Sequence, residues 1–322
     1  MCGNACADLA GDPKNCGSCG HDCQGGMCHA SVCQPVTVVT GQHKPFGIAA
    51  DGSSVYWTSS DGTVQQAPIG GDLPTNANML AMGQNTPNNI AVDATNVYWT
   101  NSFLNGTVMK VAKTGGSATQ IAMNQGFPVG IAVDATSVYW TNNVTTGTVM
   151  KAPIGGVGSS TVYPGGDQAT PINLAVDGTS VYWLESVTNS GVVMTPGTTP
   201  NTFTPLATGQ SAPARIAVDA KYVYWTHGGS AGKVERIAKD GSDASVPTTL
   251  AMGLSSPYGI AVDEKYVYWT NTGDGTVMKV ATGGGSSTTL AVGQKTPECI
   301  ALDATSVYWT NTDDGTVMKV AK

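Results

Sequence analysis

Apolar positions in this chain fall into short, nearly continuous runs instead of helical stripes, and the runs recur in pairs. A segment of the form Ile-Ala-Val-Asp is followed closely by Val-Tyr-Trp-Thr or a near copy. The second segment occurs seven times, at Val55 to Thr58, Val97 to Thr100, Val138 to Thr141, Val181 to Leu184, Val223 to Thr226, Val267 to Thr270 and Val307 to Thr310, and takes in every tryptophan. Ahead of each stands a proline, Pro45, Pro87, Pro128, Pro171, Pro213, Pro257 or Pro297, at spacings of 40 to 44 residues. Repeats of that length without amphipathic helix patterns predict propeller blades, not a helical solenoid. Each repeat reads as four strands, the sixth as Pro257 to Asp263, Tyr266 to Thr270, Gly275 to Val280 and Thr288 to Ala291. Continuous apolar runs suit strands covered on both faces, and alternation puts Val and Trp on one face, Tyr and Thr on the other.

The two ends of the repeat region predict how a ring would close. The seventh repeat stops after its third strand, while Thr37 to Gln42 matches Thr289 to Gln294, the end of the sixth repeat. The N-terminal strand is therefore expected to complete the last blade, which removes the open sheet edge. An aspartate ends the first strand of every repeat: Asp51, Asp93, Asp134, Asp177, Asp219, Asp263 and Asp303. A short connection such as Ala94-Thr95-Asn96 follows it, so a turn-capping carboxylate is expected, with calcium binding as the competing use. Lys110, Lys279 and Lys319 of the third strands are read as solvated.

The layout Pro-x-x-Ile-Ala-Val-Asp then Tyr-Trp-Thr, over residues 35 to 322, resembles the YWTD propellers of lipoprotein receptors and the wider group that includes NHL repeats and streptogramin lyases. The resemblance implies an all-β, seven-bladed propeller of four-stranded blades. It departs from the receptors in having Asn101, Asn142, Asn271 and Asn311 after Tyr-Trp-Thr where they have Asp, and seven repeats where they have six. Receptor-type ligand binding does not carry over, and no His and Glu set of the lyases matches.

Composition adds a compartment. Seven of the eight cysteines, Cys2, Cys6, Cys16, Cys19, Cys23, Cys28 and Cys33, crowd into a segment with little apolar content, which implies a disulfide module in an oxidising environment. Zinc on Cys16, Cys19, His21 and His29 is the competing reading. The core Asn15-Cys16-Gly17-Ser18-Cys19-Gly20 resembles short cysteine-rich units of secreted proteins from predatory and soil bacteria. An odd count leaves one cysteine over, and Cys299 is the partner on offer, against a buried free thiol. Two domains are expected, a module over 1–34 and the ring over 35–322. Met1 leads directly into Cys2, so no signal peptide is present in this numbering, and export implies a leader outside it. A net charge of −7 without a basic cluster argues against nucleic acid, and no run of 18 apolar residues marks a transmembrane segment. No cofactor motif is present.

Function is sought where the repeats differ. After the prolines they read Phe46-Gly47, Asn88-Asn89, Val129-Gly130, Ile172-Asn173, Ala214-Arg215, Tyr258-Gly259 and Glu298-Cys299. After the second strand they read Ser59, Asn101, Asn142, Glu185, His227, Asn271 and Asn311. In a propeller these positions meet at one mouth of the central channel. Asn173, Glu185, Arg215 and His227 on blades four and five are expected to face one rim, with Asn89, Tyr258 and Glu298 at the same mouth. The expected function is binding of a glycan or peptide there by an extracytoplasmic protein. The alternatives are a lyase or hydrolase using Glu185 and His227 as acid and base with Arg215 steadying an anion, and a structural surface protein without a small ligand.

Overall fold

The computed structural model of the chain describes residues 8–70, 73–155, 158–163, 170–186, 191–196, 203–243 and 246–322. Within them the strands pair into seven four-stranded antiparallel sheets and one hairpin, Cys28–His29 with Val32–Cys33. The sixth sheet runs Pro257–Val262, Tyr266–Asn271, Thr276–Ala281 and Thr288–Ala291, close to the ranges expected. The first strands pack side by side in cyclic order, and the last of them, Pro297–Leu302, meets the first, Pro45–Ala50. That arrangement is a β-propeller. Closure is as the sequence predicts: Val36–Val39 pairs with Thr316–Ala321 and supplies the fourth strand of the last sheet.

The second strands form the cores between blades. All seven tryptophans are fully buried, and the Val, Tyr and Thr around them are buried as well, so both faces are core. The Thr hydroxyl ties one blade to the next: Thr58, Thr100, Thr226 and Thr270 donate to the carbonyls of Asn88, Val129, Tyr258 and Glu298. Thr310 of the last blade donates to Phe46 of the first, 2.8 Å away, which stitches the ring shut. The indoles make a second set of ties. Gln42, Gln84, Gln125 and Gln294 lie at the ends of outer strands, and each accepts the N–H of Trp57, Trp99, Trp140 or Trp309 in the following blade at 2.8–3.1 Å. Where Asn follows Tyr-Trp-Thr, as in Asn101, Asn142 and Asn311, its amide donates to the same glutamine.

The aspartates cap turns. In each blade one carboxylate oxygen accepts the next turn's backbone N–H groups, as Asp93 does from Thr95 and Asn96, and the other accepts a tyrosine hydroxyl, as from Tyr98. The tyrosines are thereby pushed well above the usual phenol range, by burial first and the adjacent carboxylate second. The third-strand lysines correct the sequence reading. Lys319 is buried and donates to the carbonyl of Ile69, Lys110 donates to that of Ile154, and Lys279 lies over the ring of Tyr266. These amines reach across to neighbouring structure because the long methylene stem covers apolar surface on the way.

The N-terminal segment is held by disulfides Cys16–Cys28 and Cys23–Cys33, and Cys19 is disulfide-bonded too. Cys2 and Cys6 lie outside the described residues. The sulfurs of Cys16, Cys23 and Cys33 lie within 4.8 Å of one another, but a disulfide sulfur lacks the thiolate that zinc needs. His21, offered above as a zinc ligand, instead faces the main-chain oxygens of Cys16 and Lys322 with its two ring nitrogens, which fastens the segment to the last strand of the ring. The disulfide proposed for Cys299 does not form: its thiol is free and buried. The reason is geometric. The segment docks near Lys322, which pairs with Asp263 at the turn end of the first strands, whereas Cys299 lies at their opposite, proline end. Among the described residues no helix is long and apolar enough to cross a membrane.

Candidate functional site at the mouth of the channel

The positions that vary between repeats sit on a bulge repeated around the ring. In blade one Pro45 pairs with Ser59 and Ile48 with Trp57, so three steps on the first strand match two on the second. Phe46 and Gly47 carry the extra residue, and equivalent shifts occur in the other six blades. A bulge turns side chains away from the regular alternation and loses ladder bonds. The second-strand threonine compensates by accepting the bulge N–H, from Gly47, Gly130, Arg215 or Gly259. At Gly47, Gly130 and Gly259 the next blade comes so close that a Cβ would lie 2.4–2.9 Å from its backbone. The remaining bulges carry the side chains that enter the channel: Asn89, Asn173, Arg215 and Cys299.

These side chains line a cavity of about 180 Å³ with a mainly polar surface. One aliphatic residue per blade adjoins it, from Ile48 to Ile300, with its side chain buried in the blade core. Arg215 spans it. Its Nη1 donates to Asn89 Oδ1 at 2.8 Å, and its Nη2 donates to the Tyr258 hydroxyl at 3.0 Å and to Cys299 Sγ at 3.4 Å. The guanidinium lies over Tyr258 at 4.8 Å and Phe46 at 5.3 Å from the ring centroids. Asn173 turns its Oδ1 to the N–H of Ile216. The thiol and the phenol that accept from Arg215 are neutral at ordinary pH. Burial pushes the Cys299 thiol up to about 11 and raises the Tyr258 phenol as well. Burial also raises the half-buried Glu298 carboxyl, against the pull of Arg215. Among the described residues Arg215 has no ion pair, and its Nε has no acceptor.

Five of the residues singled out from sequence thus meet or adjoin at the mouth: Asn89, Asn173, Arg215, Tyr258 and Glu298. Cys299 joins them, though the sequence suggested a disulfide for it. Phe46 was read only as part of a varying pair, and the general preference of guanidinium for aromatic faces was the signal that could have placed it.

Glu185 and His227 are committed elsewhere. Each replaces glutamine as the acceptor for its own blade's indole: Glu185 takes the N–H of Trp183 at 3.2 Å and His227 Nε2 that of Trp225 at 2.7 Å. His227 is 1% exposed, and its Nδ1 donates to the carbonyl of Ser211. Its Nε2 also lies 2.8 Å from Glu235, so that nitrogen accepts from Trp225 when the ring is neutral and donates to Glu235 when it is protonated; the other oxygen of Glu235 accepts from Lys233 and Thr249. Burial would raise the Glu235 carboxyl, but the bonds from His227 and Lys233 outweigh it and bring it down to about 2. Arg236, next in the strand, instead donates to the carbonyl of Thr282.

The fold and the mouth define a β-propeller protein whose blades carry the Tyr-Trp-Thr signature. Similar solved structures agree. A streptogramin B lyase is 15% identical, with 89% of this chain and 96% of that one covered, at a TM-score of 0.72. Virginiamycin B lyase from Staphylococcus aureus is 13% identical, with coverage of 90% and 98% and a TM-score of 0.74. A chain of the nidogen–laminin complex is 20% identical, with coverage of 70% and 88% and a TM-score of 0.54. No family profile and no curated protein matches the chain.

Proposed function

We propose that this chain is an extracytoplasmic binding protein that holds a glycan or peptide ligand at the mouth of its ring, with residues 1–34 as a separate disulfide module. The observation that carries this reading is Arg215, a cation buried at the channel mouth against Asn89, Tyr258 and Cys299, at bulge positions where the blades otherwise differ little. Such an irregularity in a uniform scaffold is where recognition is sought. The disulfides support an exported location, periplasmic, secreted or at the cell surface. The lyase or hydrolase alternative is less well supported, because both nitrogens of His227 are engaged inside blade five.

A thermal-shift screen against glycans, peptides, calcium and zinc, with EDTA as control, tests the reading. A ligand at a hundred times its dissociation constant raises stability by about 2.7 kcal/mol. A hit that is lost in Arg215→Gln and kept in Glu185→Ala/His227→Ala is the expected result. A hit kept in Arg215→Gln would move the site away from the mouth. Turnover abolished by His227→Ala would favour the enzyme.

A further inference from the structure

We propose that the cavity at Arg215 binds a single small carboxylate, a short-chain acid or the terminal group of a larger ligand. The inference rests on the mouth-binding reading and names its chemistry. Charge is the first argument. Arg215 is 93% buried, since only 7% of its surface is exposed, and a desolvated cation without a counter-ion is costly. Its partners Asn89, Tyr258 and Cys299 are neutral acceptors. Among the described residues no carboxylate lies within ion-pair distance of it, Glu298 acting on it only at longer range, and its Nε–H has no acceptor. Planar bidentate pairing with a carboxylate is the interaction for which a guanidinium is built.

Shape is the second argument. The cavity is small and its accessible surface is mainly polar, because the aliphatic residues beside it, from Ile48 to Ile300, bury their side chains in the blade cores. A volume of about 180 Å³ is close to the roughly 150 Å³ apolar cavity that accepts a benzene molecule. It therefore admits a short-chain acid and excludes a whole sugar ring with its hydration. Asn89 and Asn173 supply amides at the rim, Asn173 from the blade beside Arg215 and Asn89 from across the channel.

The probe is isobutyrate, with isobutyramide as its neutral isostere and N-acetylvaline as the same group on a peptide end. The chain has two arginines, Arg215 and Arg236, so the full-length protein labelled at arginine shows one Nε–H cross-peak for each, assigned with Arg236→Lys. Isobutyrate is expected to shift the Arg215 cross-peak and leave Arg236 in place, while isobutyramide shifts neither. In Arg215→Gln affinity should fall about tenfold to a hundredfold, the loss of a charge-assisted pair. Should that variant fail to fold, the wild-type cross-peaks decide alone. An unmoved Arg215 peak at saturating millimolar isobutyrate overturns the proposal, as does equal binding of the amide. N-acetylvaline binding as well as isobutyrate assigns the site to the end of a larger ligand, and isobutyrate alone assigns it to a free acid. If Arg215 ignores every carboxylate yet a screened glycan is lost in Arg215→Gln, the carboxylate inference falls and mouth binding stands.

Discussion

Blade six lacks one part that the other blades have, and supplying it should make the protein more stable. Leu254 occupies the position held by Gln42, Gln84, Gln125 and Gln294 elsewhere, and Trp269 is left with a buried indole N–H that has no acceptor. The backbone is already suitable. Leu254 pairs with Gly232 as Gln84 and Gln294 bond to Gly62 and Gly275, and Gly253 has the positive φ of Gly83 and Gly293. Leu254→Gln should therefore let the new amide oxygen accept from Trp269 and from Asn271, as in blades two, three and seven. Relieving a buried unsatisfied donor is worth about 1–3 kcal/mol. Removing a partly buried leucine from the blade-six cluster costs about 1 kcal/mol. The net expectation is a gain of about 1 kcal/mol, a rise of roughly 2 °C in Tm for a protein of this size. The reverse change, Gln294→Leu, should cost about 2 kcal/mol because it orphans Trp309 while gaining little contact. Differential scanning calorimetry on both variants is the assay. If Leu254→Gln melts below wild type, or Gln294→Leu is neutral, the indole–glutamine tie does not stabilise the ring as argued.

Acid should expose the buried network of blade five. Glu235 is held near 2, below its ordinary 4.5, so its contribution is present above about pH 4.5 and is lost as the pH falls toward 2. The contribution is at most about 3 kcal/mol, and the Tm difference between wild type and Glu235→Gln should shrink over that range; a constant difference would contradict the network. Deleting Val36–Val39 removes the strand that completes the last sheet. The deletion variant should unfold or associate through the freed edge, checked by sedimentation and calorimetry, and an unchanged monomer with the same Tm would refute the closure. Non-reducing peptide mapping should recover Cys16 with Cys28 and Cys23 with Cys33, and Cys299 as a free thiol that alkylates only after denaturation.

Much of the scaffold was legible because its determinants are local and repeated. Tyr-Trp-Thr fills the space between blades, the aspartate caps the turn that follows it, and the match between Thr37 to Gln42 and Thr289 to Gln294 announced the shared last blade. What stayed illegible were contacts made between blades. Lys110 and Lys319 looked solvated because their partners, the carbonyls of Ile154 and Ile69, come from the next sheet. His227 and Glu185 were missed for a different, local reason. Read along the chain they are polar exceptions at a rim, but the aromatic two residues earlier in the same strand turns them into indole acceptors.

That reassignment sharpens the candidate site. The two positions that vary between blades, after the proline and after the second strand, looked equivalent in sequence, since both lie toward one end of the ring. They differ physically. A residue after the second strand stands beside its own tryptophan and the outer strand of the preceding blade, and joins the indole's tie: Glu and His accept its N–H, and Asn donates to the glutamine that does. A residue on the bulge lies at the channel, where a glycine lets the next blade close in and a large side chain reaches other blades for partners, as Arg215 does to Asn89, Tyr258 and Cys299. Variation at the first position is compatible with stability alone. At the second it places a desolvated positive charge with no paired carboxylate at the channel mouth, a burial cost that a bound anion would offset. On the proposed reading the bulge ring would set ligand specificity, and Arg215→Gln should leave the ligand-free protein as stable as wild type or more so. A variant markedly less stable without any ligand would mean that the guanidinium serves the fold.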